Sequence, residues 1–169
     1  VSGGQVGAEK GKLTVMCGGD EQAYSLVEPF MSSYSISCKL MGKSGSGQLT
    51  KMVNQICIAG VLQSLSEALL FSDKAGLDSN QVLEVISKGA AGSWQMENRG
   101  QTMVDNQFEF GFAVDWMRKD LGICLDQGNK IGASLPITAL VNEYYKDVKN
   151  MGGGRWDTSS LIARLRKLG

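Results

Sequence analysis

Gly45-Ser46-Gly47-Gln48-Leu49-Thr50-Lys51-Met52-Val53-Asn54 is where the chain changes character. Upstream, glycines cluster and apolar residues come in short runs. Downstream, apolar residues recur at helical spacing almost to the end. The stretch reads as a glycine turn entering a helix, because Leu49, Met52, Val53, Ile56, Ala59, Gly60 and Leu62 make one stripe. Leu65, Leu69, Leu70 and Phe71 continue it with drift. The spacing predicts one helix from Gln48 to Ala75, roughly 40 Å long, stopped by Gly76. It carries few charges and is apolar on more than one face, so it is expected at the buried centre of a bundle.

Upstream, Leu13–Cys17 is a short strand ending at Gly18-Gly19. Ile36 to Leu40 alternates apolar and polar residues and then meets Gly42, a second strand. Between them Asp20 caps a helix of about ten residues with Ala23, Leu26, Val27 and Phe30 on one face. Residues 1–41 thus read strand–helix–strand, too little to cover both faces of a sheet, and are expected to be the edge of a larger one. The first residue is Val1, and no basic or apolar leader follows it, so the chain is expected to begin mid-architecture.

Downstream, shorter helices are expected at Gln81 to Ser87 (capped by Asp78 or Ser79), Trp94 to Met103 (after Ser93) and Asp115 to Leu125 or beyond. Two more run from Ile137 to Met151, after Leu135-Pro136, and from Leu161 to Leu168. The last is basic at its C-terminal end, as the helix dipole favours.

Composition removes whole classes of function. The 169 residues hold 17 basic and 17 acidic side chains, so no net charge argues for nucleic acid. The longest unbroken apolar run, Ile56 to Leu62, is far short of the roughly 20 residues that span a bilayer, so no membrane partner is expected. There is no histidine, which excludes Ser-His-Asp and Cys-His catalysis and His-ligated zinc. Cys17, Cys38, Cys57 and Cys124 show no C-x-x-C spacing and read as reduced thiols of a cytoplasmic protein, with no metal expected. A Cys17–Cys38 pairing would require those residues to lie on neighbouring strands.

Acid–base chemistry therefore falls to Lys, Asp, Glu, Tyr or Cys. Lys51 and Asn54 stand three apart on one face of an otherwise apolar helix. A lysine there can exchange a proton with a carbonyl or hydroxyl oxygen, and an asparagine can orient that hydroxyl. An ordinary solvent-facing lysine is the competing reading. Val1-Ser2-Gly3-Gly4 offers free backbone N–H groups and a hydroxyl to a carboxylate or phosphate, or is a plain turn. Lys119-Asp120 is either a surface ion pair or part of a site. The glycines from Gly42 to Gly47 do not follow the G-x-G-x-x-G order of a dinucleotide fingerprint.

Three ordered motifs together resemble one family: VSGG-x-x-GA-x-x-G-x-L-x-x-M-x-GG from Val1 to Gly19, G-x-G-x-x-x-K-x-x-N from Gly45 to Asn54, and KDLG from Lys119 to Gly122. The likeness is to the β-hydroxyacid dehydrogenases, which include 3-hydroxyisobutyrate dehydrogenase and tartronate semialdehyde reductase, and it runs over the whole chain. It implies a mostly α fold: a bundle on a long central helix, preceded by a strand–helix–strand remnant of a Rossmann-type α/β domain. Residues 1–43 would be the C-terminal edge of the dinucleotide-binding domain. Residues 44–169 would be an all-helical substrate and dimerisation domain like the C-terminal domain of 6-phosphogluconate dehydrogenase.

By resemblance, Lys51 is the catalytic lysine, and Ser2, Gly3, Gly4 and Asn54 bind substrate. Lys119, Phe112 and Asp120 stand on the cofactor side. The implied reaction is hydride transfer between NAD or NADP and a small 3-hydroxy acid. The implied assembly is a homodimer or homotetramer, in the cytoplasm or, in a eukaryote, the mitochondrial matrix. The glycine fingerprint of the family's N-terminal half is missing, so the 169 residues alone are expected to be inactive. The alternative is a non-catalytic dimerisation or binding module, with Trp94, Phe108, Phe110, Phe112 and Trp116 as partner surface.

Overall fold

The structure, a computed structural model, describes all 169 residues. In chain order its elements are α1 (Gly4–Glu9), β1 (Leu13–Cys17), α2 (Glu21–Ser32), β2 (Ser35–Leu40) and α3 (Ser46–Lys74). Then come α4 (Ser79–Ile86), α5 (Trp94–Val104), α6 (Val114–Ile131), α7 (Pro136–Asn150) and α8 (Leu161–Leu168). The fold is mostly helical and includes a small two-stranded parallel sheet, as expected. Two compact units emerge, Val1–Gln55 and Ile56–Gly169, and the division falls inside α3.

In the first unit β1 pairs with β2 in parallel, Val15 opposite Cys38 and Cys17 opposite Leu40. Asp20 caps α2 through its carboxylate, which accepts from Ala23 N–H at 2.8 Å. The face of α2 turned to the strands is that of Tyr24 and Met31: the Tyr24 hydroxyl donates to the Cys38 carbonyl at 3.0 Å. Leu26 and Phe30, 74% and 73% exposed, point away. One element was not legible in the sequence. Residues read as a bare glycine turn continue into α1, whose Gly7 lies against Leu13 of β1.

The second unit holds the core. Ala59, Leu62, Leu65 and Leu69 of α3 join Met103, Met117, Leu121, Val141, Tyr145, Val148, Leu161 and Ile162 in one buried cluster. By length and hydropathy alone α3 would qualify as a membrane span; 44% of its most apolar window is buried, and Ala59, Leu62, Leu65 and Leu69 join the core.

The stripe predicted for α3 needs correction. Leu49, Val53 and Phe71 are exposed, whereas Gln55, Ser66 and Ser72 are buried. The buried face follows Gln55, Ala59, Leu62, Ser66, Leu69 and Ser72. Its serines are satisfied, Ser66 Oγ donating to the Leu62 carbonyl one turn back at 2.7 Å and Ser79 Oγ of α4 donating to Ser72 Oγ at 2.8 Å. Hydropathy counting misses buried serines whose hydroxyls find such partners.

Candidate active site

The candidate residues of the first unit sit on backbone forced into shape by glycine. Gly3 and Gly4 take positive φ angles of 124° and 59°, which side chains other than glycine adopt only under strain. This lets the chain turn from Ser2 straight into α1. Ser2 is itself fixed to β1: its N–H donates to the Thr14 carbonyl at 2.8 Å, and Thr14 N–H donates back at 2.9 Å.

The start of α3 is pressed against the end of β1. A Cβ on Gly47 would run into the Met16 carbonyl oxygen, and one on Gly18 would lie 2.7 Å from the Lys43 carbonyl. The glycines at 18 and 47 are therefore matched to each other. They bring the first turns of α3, with Lys51 and Asn54, into the same unit as the Ser2-Gly3-Gly4 turn.

Lys51 is half-buried, as is Asn54, whose amide donates to Gln55 Oε1 at 2.8 Å.

In the second unit Lys119 pairs with Asp120 at 3.1 Å and lies 5.8 Å from the centre of the Trp116 ring. Asp120 also faces Cys124, whose thiol is pushed up by burial first and by Asp120 second. Phe112 packs against the core. Phe108 is buried, 6.1 Å from the Trp156 ring centre, so the aromatic set read as one partner surface is split between core and surface.

The sequence reading missed the group that holds this region together. Asp157, 1% exposed, accepts from Phe112 N–H at 2.9 Å, Ser159 N–H at 3.0 Å and the Ser159 hydroxyl at 2.7 Å, and pairs with Arg99 at 3.2 Å. The Arg99 guanidinium in turn lies 5.1 Å from the ring centres of Trp94 and Phe110. Asp157 thus fixes the loop bearing Phe112 just before α6. The signal was present as Asp157-Thr158-Ser159-Ser160, an acidic residue two positions before a serine it can cap.

Residues 45–165 match the family model for the NAD-binding domain of NADP-dependent 3-hydroxyisobutyrate dehydrogenase, and residues 1–42 match that for the NAD-binding domain of 6-phosphogluconate dehydrogenase. The chain belongs to the β-hydroxyacid dehydrogenase family. Among members of that family, an uncharacterized oxidoreductase of Shewanella frigidimarina (strain NCIMB 400) is 62% identical over 99% of this chain and 57% of its own length. The 2-hydroxy-3-oxopropionate reductase of Escherichia coli (strain K12) is 36% identical over 98% of this chain and 56% of its own. The crystal structure of 3-hydroxyisobutyrate dehydrogenase from Salmonella typhimurium superposes with a TM-score of 0.85 at 30% identity, over 96% of this chain and 57% of that one. The chain therefore spans a little over half the length of these relatives.

Proposed function

We propose that this chain carries the substrate and proton-transfer part of an oxidoreductase acting on a small 3-hydroxy acid, of the 3-hydroxyisobutyrate or tartronate semialdehyde type. Residues 1–43 act as the C-terminal edge of the dinucleotide-binding domain and 44–169 as the substrate and oligomerisation domain. The observation that carries this reading is the half-buried Lys51, on one helix face with Asn54 and in the same compact unit as the Ser2-Gly3-Gly4 turn.

In the oxidative direction the substrate carboxylate rests on Ser2, Gly3 and Gly4, and Asn54 orients the 3-hydroxyl. Lys51 Nζ accepts the hydroxyl proton as the C–O bond becomes C=O. In the reductive direction the Lys51 ammonium returns that proton to the carbonyl oxygen. NAD or NADP, when bound, accepts or supplies the hydride. The donor set fits the reactive end of such a cofactor: Lys119 is an exposed cation beside an exposed indole, and Phe112 offers an apolar edge. Turnover belongs to a parent of the relatives' full length, of which this chain spans a little over half. That parent works as a homodimer or homotetramer in the cytoplasm or mitochondrial matrix.

The test is Lys51→Ala in the parent enzyme. Loss of a positioned acid–base group lowers kcat by roughly 10²–10⁴, while cofactor affinity stays as it was. Undiminished turnover would remove Lys51 from the mechanism and the reading with it.

A further inference from the structure

Three sulfur atoms meet beneath α2, and none belongs to the residues assigned to the substrate or cofactor. Cys17 Sγ lies 3.6 Å from Met31 Sδ, and Cys38 Sγ lies 3.9 Å from the same atom. The two thiols also influence each other: burial first, and then Cys38, raises the Cys17 thiol above its usual value. The Tyr24 hydroxyl closes the group, 3.7 Å from Cys38 Sγ while it donates to the Cys38 carbonyl. Burial and the Cys38 thiol push that phenol up to about 12, so it stays a donor.

We propose that Cys17, Cys38 and Met31 form a three-coordinate site for a soft monovalent cation, Cu⁺. The spacing is the first argument. Three metal–sulfur bonds of about 2.3 Å arranged in a plane hold their sulfurs about 4.0 Å apart, and the two separations seen here fall just inside that. Ligand type is the second, since two thiolates and a thioether with no imidazole select Cu⁺ over hard divalent ions. Zn²⁺ takes four ligands in its structural sites, and only three sulfurs are offered here.

Register argues against the obvious rival, a disulfide. Cys17 stands opposite Leu40 and Cys38 opposite Val15, so the cysteines are diagonal neighbours. Strands about 4.8 Å apart, with a rise of about 3.3 Å per residue, put residues offset by two roughly 8 Å apart at Cα, beyond the roughly 4.4–6.8 Å that a disulfide spans. All three sulfur residues are only partly buried, which leaves a path of entry. Binding releases the two thiol protons and changes no oxidation state: two thiols, one thioether and Cu⁺ give a monoanionic complex and two H⁺.

The experiment is an anaerobic titration of the reduced 169-residue chain with Cu⁺ against a chromogenic Cu⁺ chelator, followed by X-ray absorption of the loaded protein. One tightly held Cu⁺ per chain with three sulfur neighbours is expected. Cys17→Ser or Cys38→Ser weakens binding by more than the roughly 10–100-fold that follows loss of an outer-sphere partner. Met31→Leu, which keeps the side-chain volume and so the fold, lowers the sulfur count to two. The exposed Cys57 is the control, and Cys57→Ser leaves binding unchanged. Copper retained without Cys17 and Cys38, binding lost with Cys57, an unaltered sulfur count in Met31→Leu, or a reduced chain that holds no Cu⁺ each overturn the proposal.

Discussion

The two units are stabilised by different means. In Val1–Gln55 the single buried apolar side chain is Val15, whereas Ile56–Gly169 holds every other buried apolar residue of the chain. The first unit is held by a two-strand ladder, a capped helix and the close approach of Gly18 to Gly47. The second is held by a packed core and the ring of donors around Asp157. The proton-transfer candidate lies in the unit with little core. Candidate chemistry here depends on backbone geometry more than on apolar packing, and weakly packed regions are the ones free to move on binding.

Removing Asp157 tests the second half of that contrast and carries the largest expected effect. Asp157→Ala leaves Arg99 without its partner and strips acceptors from Phe112 N–H and Ser159. Losing one member of a buried ion pair costs about 3–5 kcal/mol. Trp94, Trp116 and Trp156 all lie in the second unit, so tryptophan fluorescence during urea unfolding reads that unit alone. A midpoint unchanged by the substitution would mean that the core, not the carboxylate, orders the loop before α6.

What the sequence disclosed follows the same division. Every long helix was legible from apolar spacing and caps: Asp78, Ser93 and Pro136 all stand where they were expected. Lys51 became a candidate because a lysine three residues from an asparagine on an apolar helix requires an explanation, and its role stays a proposal. Three features were not fully legible. α1 hid behind its glycines. The buried face of α3 hid because Gln55, Ser66 and Ser72 score as polar. The sulfur cluster was half hidden: Cys17 beside Cys38 was conditional on strand pairing, and the third member, Met31, comes from a helix.

The first half of the contrast is tested by Gly47→Ala. The added methyl group meets the Met16 carbonyl, backbone that cannot rotate aside, so the start of α3 must shift away from β1. Overpacking of this kind costs about 1–3 kcal/mol. The expected signature is local: faster hydrogen exchange at Met41 and Gly19, whose N–H groups donate to Cys17 and Gly42 across the strand ends, with the tryptophan transition unmoved. If instead the tryptophan transition falls as far as it does in Asp157→Ala, the two units do not unfold separately and the contrast fails.

The smallest effect separates packing from hydrogen bonding inside the second unit. Tyr145 is fully buried and donates to the Thr158 carbonyl at 2.9 Å. Burial first, and Asp157 second, raise its phenol well above the usual value of 10.0. The folded chain therefore keeps this proton at pH values where the unfolded chain releases it. The sign follows: stability is complete below pH 10 and falls as pH rises above that, by about 1.4 kcal/mol per pH unit. Tyr145→Phe loses the hydrogen bond, about 0.5–1.5 kcal/mol at neutral pH, but has no proton to release. The two stability curves should converge above pH 10 and cross about one pH unit higher, measured by urea unfolding on the tryptophan signal. Parallel curves would show that Tyr145 reaches solvent as its anion without unfolding, and that the core around Thr158 is looser than its packing implies.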